Sequence, residues 1–119
     1  MAAEKRKFER YVFPNDDNIT ALLAFDNGNK SFEARVLNIS QGGLGLAVNR
    51  TKIDIVTKES VLFLKEIKGE KRITRLSGHS IIVKWVLDYE PLNNLAIGCE
   101  FITLNNACRQ EIEALLRND

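Results

Sequence analysis

Ser31-Phe32-Glu33-Ala34-Arg35-Val36-Leu37-Asn38-Ile39-Ser40-Gln41-Gly42-Gly43-Leu44-Gly45-Leu46-Ala47-Val48 is the stretch from which the fold is read. Phe32, Ala34 and Val36 alternate with Ser31, Glu33 and Arg35, the period of a strand with one face buried. Gln41-Gly42-Gly43 breaks the run, and Leu44, Leu46 and Val48 open a second strand of the same period. The opposite face of that strand carries Gly45 and Ala47, so another group can approach closely there.

The same alternation extends outward. Ile19 to Phe25 is a short apolar strand, and Asp26-Asn27-Gly28-Asn29 is hairpin chemistry because Asn and Gly accept positive φ cheaply. Residues 49–59 read as a long loop with Ile53 and Ile55 tucked inward, followed by a strand from Ser60 to Glu66 and a turn at Lys68-Gly69-Glu70-Lys71. A long segment runs from Arg72 to Leu87, bent at Ser77-Gly78, with Ile81, Val83, Trp85 and Leu87 on one face. That parity places Trp85 in the core. Glu90-Pro91-Leu92-Asn93-Asn94 is a turn, and Leu95, Ile97, Cys99 and Phe101 alternate again. The period then changes: Cys108, Ile112, Leu115 and Leu116 fall on one face of a helix capped by Asn105 or Asn106. Some six strands followed by one helix predict a mainly β fold, a small antiparallel barrel with a C-terminal helix at one end. Residues 1–16 are polar and basic, a flexible arm closed by Pro14-Asn15-Asp16-Asp17-Asn18, and residues 17–119 form the single domain.

The composition narrows the function. The 119 residues carry 17 basic and 16 acidic side chains, a formal charge of +1, which disfavours a general binder of nucleic acid polymers. Single-stranded nucleic acid would require a basic groove with several exposed aromatics. No apolar run is long enough to span a bilayer, and no secretory leader is visible, so a cytoplasmic protein without membrane insertion is expected. Cys99 and Cys108 are expected to be buried, reduced thiols, and His79 has no second His or Cys close by in sequence, so no metal site is expected. Neither a nucleophile–base pair nor a phosphate-binding loop is present, so neither catalytic residues nor an enzyme is expected.

Two short patterns carry the chemistry. Arg6 and Arg10 form an R-x-x-x-R, and Asn38, Ser40 and Gly43 form an N-x-S-x-x-G. Guanidinium forks grip phosphate oxygens and the O6/N7 edge of guanine. In an extended arm the two arginines would stand about 13 Å apart, enough to straddle a nucleotide-sized ligand. Asn38 and Ser40, two apart, share a face. If the strand runs on unbroken they share it with Phe32, Ala34 and Val36, and that face turns from apolar to polar at a barrel rim. Taken singly, each pattern has a plainer reading: a solvated basic terminus, and a turn in which Asn and Ser bond their own backbone while the glycines supply positive φ.

Taken together, the order and separation of these patterns resemble the PilZ domain, the bacterial receptor module for cyclic di-GMP. The flanking Phe8, Tyr11, Leu37, Ile39, Gly42 and Gly43, and Ala96-Ile97-Gly98-Cys99-Glu100-Phe101 before the helix, resemble it too, so the likeness covers nearly the whole chain. The resemblance implies a six-stranded antiparallel barrel with a C-terminal helix, a ligand but no cofactor, and a signal passed to an effector protein. It implies that Arg6 and Arg10 grip guanine and phosphate, that Asn38 hydrogen-bonds a guanine, that Ser40 contacts the ligand or fixes the turn, and that Gly43 permits the turn. Lys5 and Gly42 would lend further contacts. Asn38 stands where Asp is commoner and loses a charge-assisted acceptor. Lys5 stands where many relatives have a further arginine, which leans toward one bound ligand rather than a stacked pair. Trp85 and Tyr89 are candidates for a base-stacking wall. The alternative function is a PilZ-like adaptor that contacts proteins and binds no nucleotide.

Overall fold

The computed structural model describes residues 9–25, 30–52 and 56–117. Lys5, Arg6 and Phe8, the turn at Asp26–Asn29, and Ile53 and Ile55 lie outside the described residues. The strands are β1 (Arg10–Val12), β2 (Thr20–Phe25), β3 (Ser31–Ser40), β4 (Gly43–Asn49), β5 (Val61–Lys68), β6 (Ser80–Tyr89) and β7 (Asn94–Phe101), followed by the helix α1 (Asn106–Arg117). They pair in the order β3-β2-β5-β6-β7-β4, and β4 pairs back onto β3, which closes a six-stranded antiparallel barrel. Closure removes the exposed edges that an open sheet would present.

β1 is a seventh strand. β3 is ten residues long and β2 only six, so the far end of β3 has an edge that β2 does not reach. β1 takes that edge, with Arg10 opposite Ser40 and Val12 opposite Asn38. Phe13 follows it into the core, 5% exposed, its N–H donating to the Leu37 carbonyl at 3.0 Å. The expected arm is therefore tied to the barrel at Arg10–Phe13.

The inward faces of the strands supply the core, among them Leu23, Leu46, Leu62, Leu64, Ile81, Leu95 and Ile97, each essentially inaccessible to water. One face of α1, Cys108, Ile112 and Leu115, is buried against it. Asn105 caps that helix: its Oδ1 accepts from the Cys108 N–H at 2.9 Å.

The segment before β6 departs from the sequence expectation. Lys71–Leu76 forms 3-10 turns joined at a kink at Ile73 (φ −126°, ψ 23°), and only Ser80–Tyr89 is strand. Ile73, at the kink, and Leu76 are both fully buried, and their spacing of three is not the period of two that a strand requires. Glu70 caps the turn by accepting from the Arg72 N–H at 3.1 Å. Gly78, with φ of +94°, then turns the chain into β6.

Trp85 is the second departure. It was expected in the core and is 45% exposed. The register of β6 on β7 slips between Val83 and Trp85: Val83 faces Cys99, Trp85 faces Gly98, and Lys84 is surplus. This β-bulge reverses the alternation, so Val86 packs toward the core while Trp85 and Leu87 face outward.

Candidate functional site

β3 carries a bulge of the same kind. Val36 faces Leu46 and Asn38 faces Gly45, which leaves Leu37 surplus. The strand does not run on unbroken as the sequence reading allowed. Phe32, Ala34 and Val36 point inward, as does Ile39 beyond the bulge, and Asn38 turns onto the outer surface beside Gly45. Two extra residues, Leu37 and Lys84, thus aim Asn38 and Trp85 at the same side of the barrel.

Those two side chains bound one row of the sheet. Across four strands it reads Asn38, Gly45, Gly98, Trp85. The Asn38 amide lies over Gly45, where a Cβ would come within 2.6 Å of Nδ2. The indole of Trp85 lies over Gly98, where a Cβ would overlap the ring. Neighbouring strands are about 4.8 Å apart, so the row is roughly 14 Å wide, and its two glycines let the Asn38 amide and the Trp85 indole lie flat against the sheet.

Arg10 reaches this row from β1, its Nη1 donating to Asn38 Oδ1 at 3.4 Å. Ser40 is 8% exposed, and its Oγ accepts from the N–H groups of both Gly42 and Gly43, at 3.1 and 3.2 Å. The hydroxyl therefore holds the turn from β3 to β4. The glycines serve a purpose other than the expected one. Among the described glycines only Gly69 and Gly78 have positive φ. Gly43 is required because a Cβ there would overlap the carbonyl oxygen of Cys99 on β7.

Arg10, Asn38, Ser40, Gly42 and Gly43 all line a single cleft of about 570 Å3, which also takes in Lys84, Trp85, Glu100 and Arg109. That volume suits a small-molecule ligand. Its charged lining is three cations and one carboxylate, which favours an anion. Gln41 ties the turn to the helix, its Nε2 donating to the Arg109 carbonyl at 3.0 Å. Sequence reasoning missed Glu100 and Arg109, which lie far from both motifs in the chain. The one available signal was small: Gly98 on a strand face that otherwise carries side chains. Tyr89, the other candidate for a stacking wall, is exposed and does not line the cleft.

The cysteines bring no charge to this cleft, although Cys99 is among its lining residues. Burial pushes the Cys99 thiol up to about 12, so it is neutral at physiological pH. Cys108 is also raised, by burial first and then by Glu111, and its S–H donates to the Arg75 carbonyl at 3.1 Å. His79, isolated in sequence, has its Nε2 3.9 Å from Cys108 Sγ in the fold. No group of three or more His, Cys, Asp or Glu among the described residues could hold a metal ion. No helix among them is long and apolar enough to cross a membrane.

The described residues thus form a small closed-barrel module with a terminal helix and a cationic cleft. The sequence matches the PilZ domain over residues 4–118, and the chain belongs to that family. Solved structures agree on the fold. The PilZ domain of Escherichia coli YcgR with c-di-GMP superposes with a TM-score of 0.66 at 9% identity, over 92% of this chain and 87% of that one. MrkH of K. pneumonia in complex with c-di-GMP gives 0.65 at 22% identity, over 96% of this chain and 52% of that one. The Bacillus subtilis inhibitor of motility MotI/DgrA gives 0.68 at 13% identity, over 97% and 51%. The chain thus spans about half the length of MrkH and of MotI. No curated protein matches it.

Proposed function

We propose that this chain is a receptor for cyclic di-GMP, acting by binding rather than catalysis and passing the signal to a partner protein from the cytoplasm. The observation that carries this reading is the convergence of Arg10, Asn38, Ser40, Gly42 and Gly43 on one cationic cleft. Membership of the PilZ family and the likeness to YcgR and MrkH, both solved with c-di-GMP, support it. Residues 1–16 act as the arm and 17–119 as the barrel. The arm is moored at β1, and the residues before it bring Arg6, and secondarily Lys5, to the ligand. Arg10 presents its fork to a phosphate or to guanine O6/N7, and Asn38 takes a hydrogen bond from the guanine. Trp85 offers one face of its indole for stacking.

Calorimetric titration tests this. Cyclic di-GMP should bind and cyclic di-AMP should bind much less, because adenine carries a donor at N6 where guanine has the O6 acceptor. Arg10→Ala should weaken binding about tenfold or more while leaving the unliganded thermal midpoint in place. Absence of heat with cyclic di-GMP would favour the adaptor that binds no nucleotide.

A further inference from the structure

The motif leaves one part of guanine recognition thin. Guanine differs from adenine at its Watson–Crick edge by two adjacent donors, N1–H and N2–H. A carboxylate reads that pair best, because both of its oxygens accept and the bonds are charge-assisted. Asn38 offers only a neutral carbonyl, which already accepts from Arg10. The cleft nevertheless contains one carboxylate among its described residues, Glu100.

Glu100 is well placed for the task. It faces Gly43 across β4 and stands two residues along β7 from Gly98, on the same outward face. Two residues along a strand are about 7 Å, a distance that a purine spans. The indole of Trp85 lies over Gly98. A purine stacked on that ring and lying along β7 brings an edge to Glu100, and Gly43 opposite Glu100 adds no side chain to block it. Glu100 is exposed and makes no ion pair among the described residues. Lys84, the cleft's cation on the neighbouring β6, has its Nζ 4.0 Å from Glu59 instead.

We infer that Glu100 is a specificity-determining residue of the cleft, the carboxylate that accepts N1–H and N2–H from a guanine stacked beside Trp85. This rests on the cyclic di-GMP reading and extends it to a residue outside both motifs. Adenine at the same place presents a lone pair at N1, which a carboxylate repels.

The test compares three cyclic dinucleotides, the diguanylate, the mixed guanine–adenine form and the diadenylate, by calorimetry on the wild type, Glu100→Ala and Glu100→Gln. Wild type should prefer the diguanylate over the mixed form. Glu100→Ala should lose about tenfold in affinity for the diguanylate. Its preference over the mixed form should shrink by a similar factor. Glu100→Gln keeps the size of the side chain and can pair with adenine, so it should move the preference further toward the mixed form. Both variants should keep the wild-type thermal midpoint. Tight binding of the diguanylate by all three proteins with unchanged preference would overturn the role of Glu100 and leave the receptor reading standing. No binding by the wild type would overturn both.

Discussion

At the scale of single residues, the site depends on the missing side chains of glycines as much as on the polar ones. Gly43 marks where β4 passes closest to β7, and the obstacle to a larger residue is backbone, which cannot swing away. Gly43→Ala should therefore destabilise the fold by about 1–3 kcal/mol or more. Denaturant unfolding measures that loss, and a stability equal to wild type would show that β4 and β7 can separate freely. The sequence announced Gly43 but for a different reason. Its place beside Ser40 suggested a turn needing positive φ, whereas the true constraint is Cys99 on β7, far along the chain, which no local pattern contains.

At the scale of elements, alternation was legible wherever the ladder is regular. The strands around Phe32–Val36, Leu44–Val48 and Leu95–Cys99 are where the period of two places them, and the helix face of Cys108, Ile112 and Leu115 follows from its spacing. The alternation misled at Trp85 and Asn38, each lying just past a bulge, because one surplus residue leaves no mark in composition and inverts every residue after it. β1 was hidden by its length of three residues and by its basic neighbours. The 3-10 turn after β5 also rests on a local device. Glu70 accepts from Arg72 through both the guanidinium, at 2.7 and 2.8 Å, and the backbone N–H. The Arg72 hydrogen bonds hold the Glu70 carboxyl below its ordinary value of 4.5. A carboxyl lowered in the folded state stabilises it above that ordinary value and loses the contribution as pH falls through the lowered one. Thermal midpoints taken from pH 6 down to pH 3 should fall more steeply for wild type than for Glu70→Gln. Parallel curves would show that the pair adds nothing to stability.

At the scale of the whole molecule, the barrel is not equally strong around its circumference. β4 and β7 pair over seven residues, from Gly43–Glu100 to Asn49–Asn94, whereas β5 and β6 pair over only three, Val61 to Phe63 with Ser80 to Ile82. The 3-10 turn fills the gap in that short seam, and α1 lies against it through the Cys108 bond to Arg75 and the Arg75–Glu111 ion pair at 3.1 Å. The helix therefore acts as a bolt beside the shortest of the ladders that close the barrel. In native-state hydrogen exchange the amides of β5 and the first half of β6 should report a lower opening free energy than those of β4 and β7. Uniform protection around the barrel would refute this. The bolt has a further consequence. Gln41 links the first turn of α1 to the cleft, so whatever occupies the cleft pulls on the element that keeps the cylinder shut. Occupancy at the rim would then be felt at the β5–β6 seam as a change in how often it breathes.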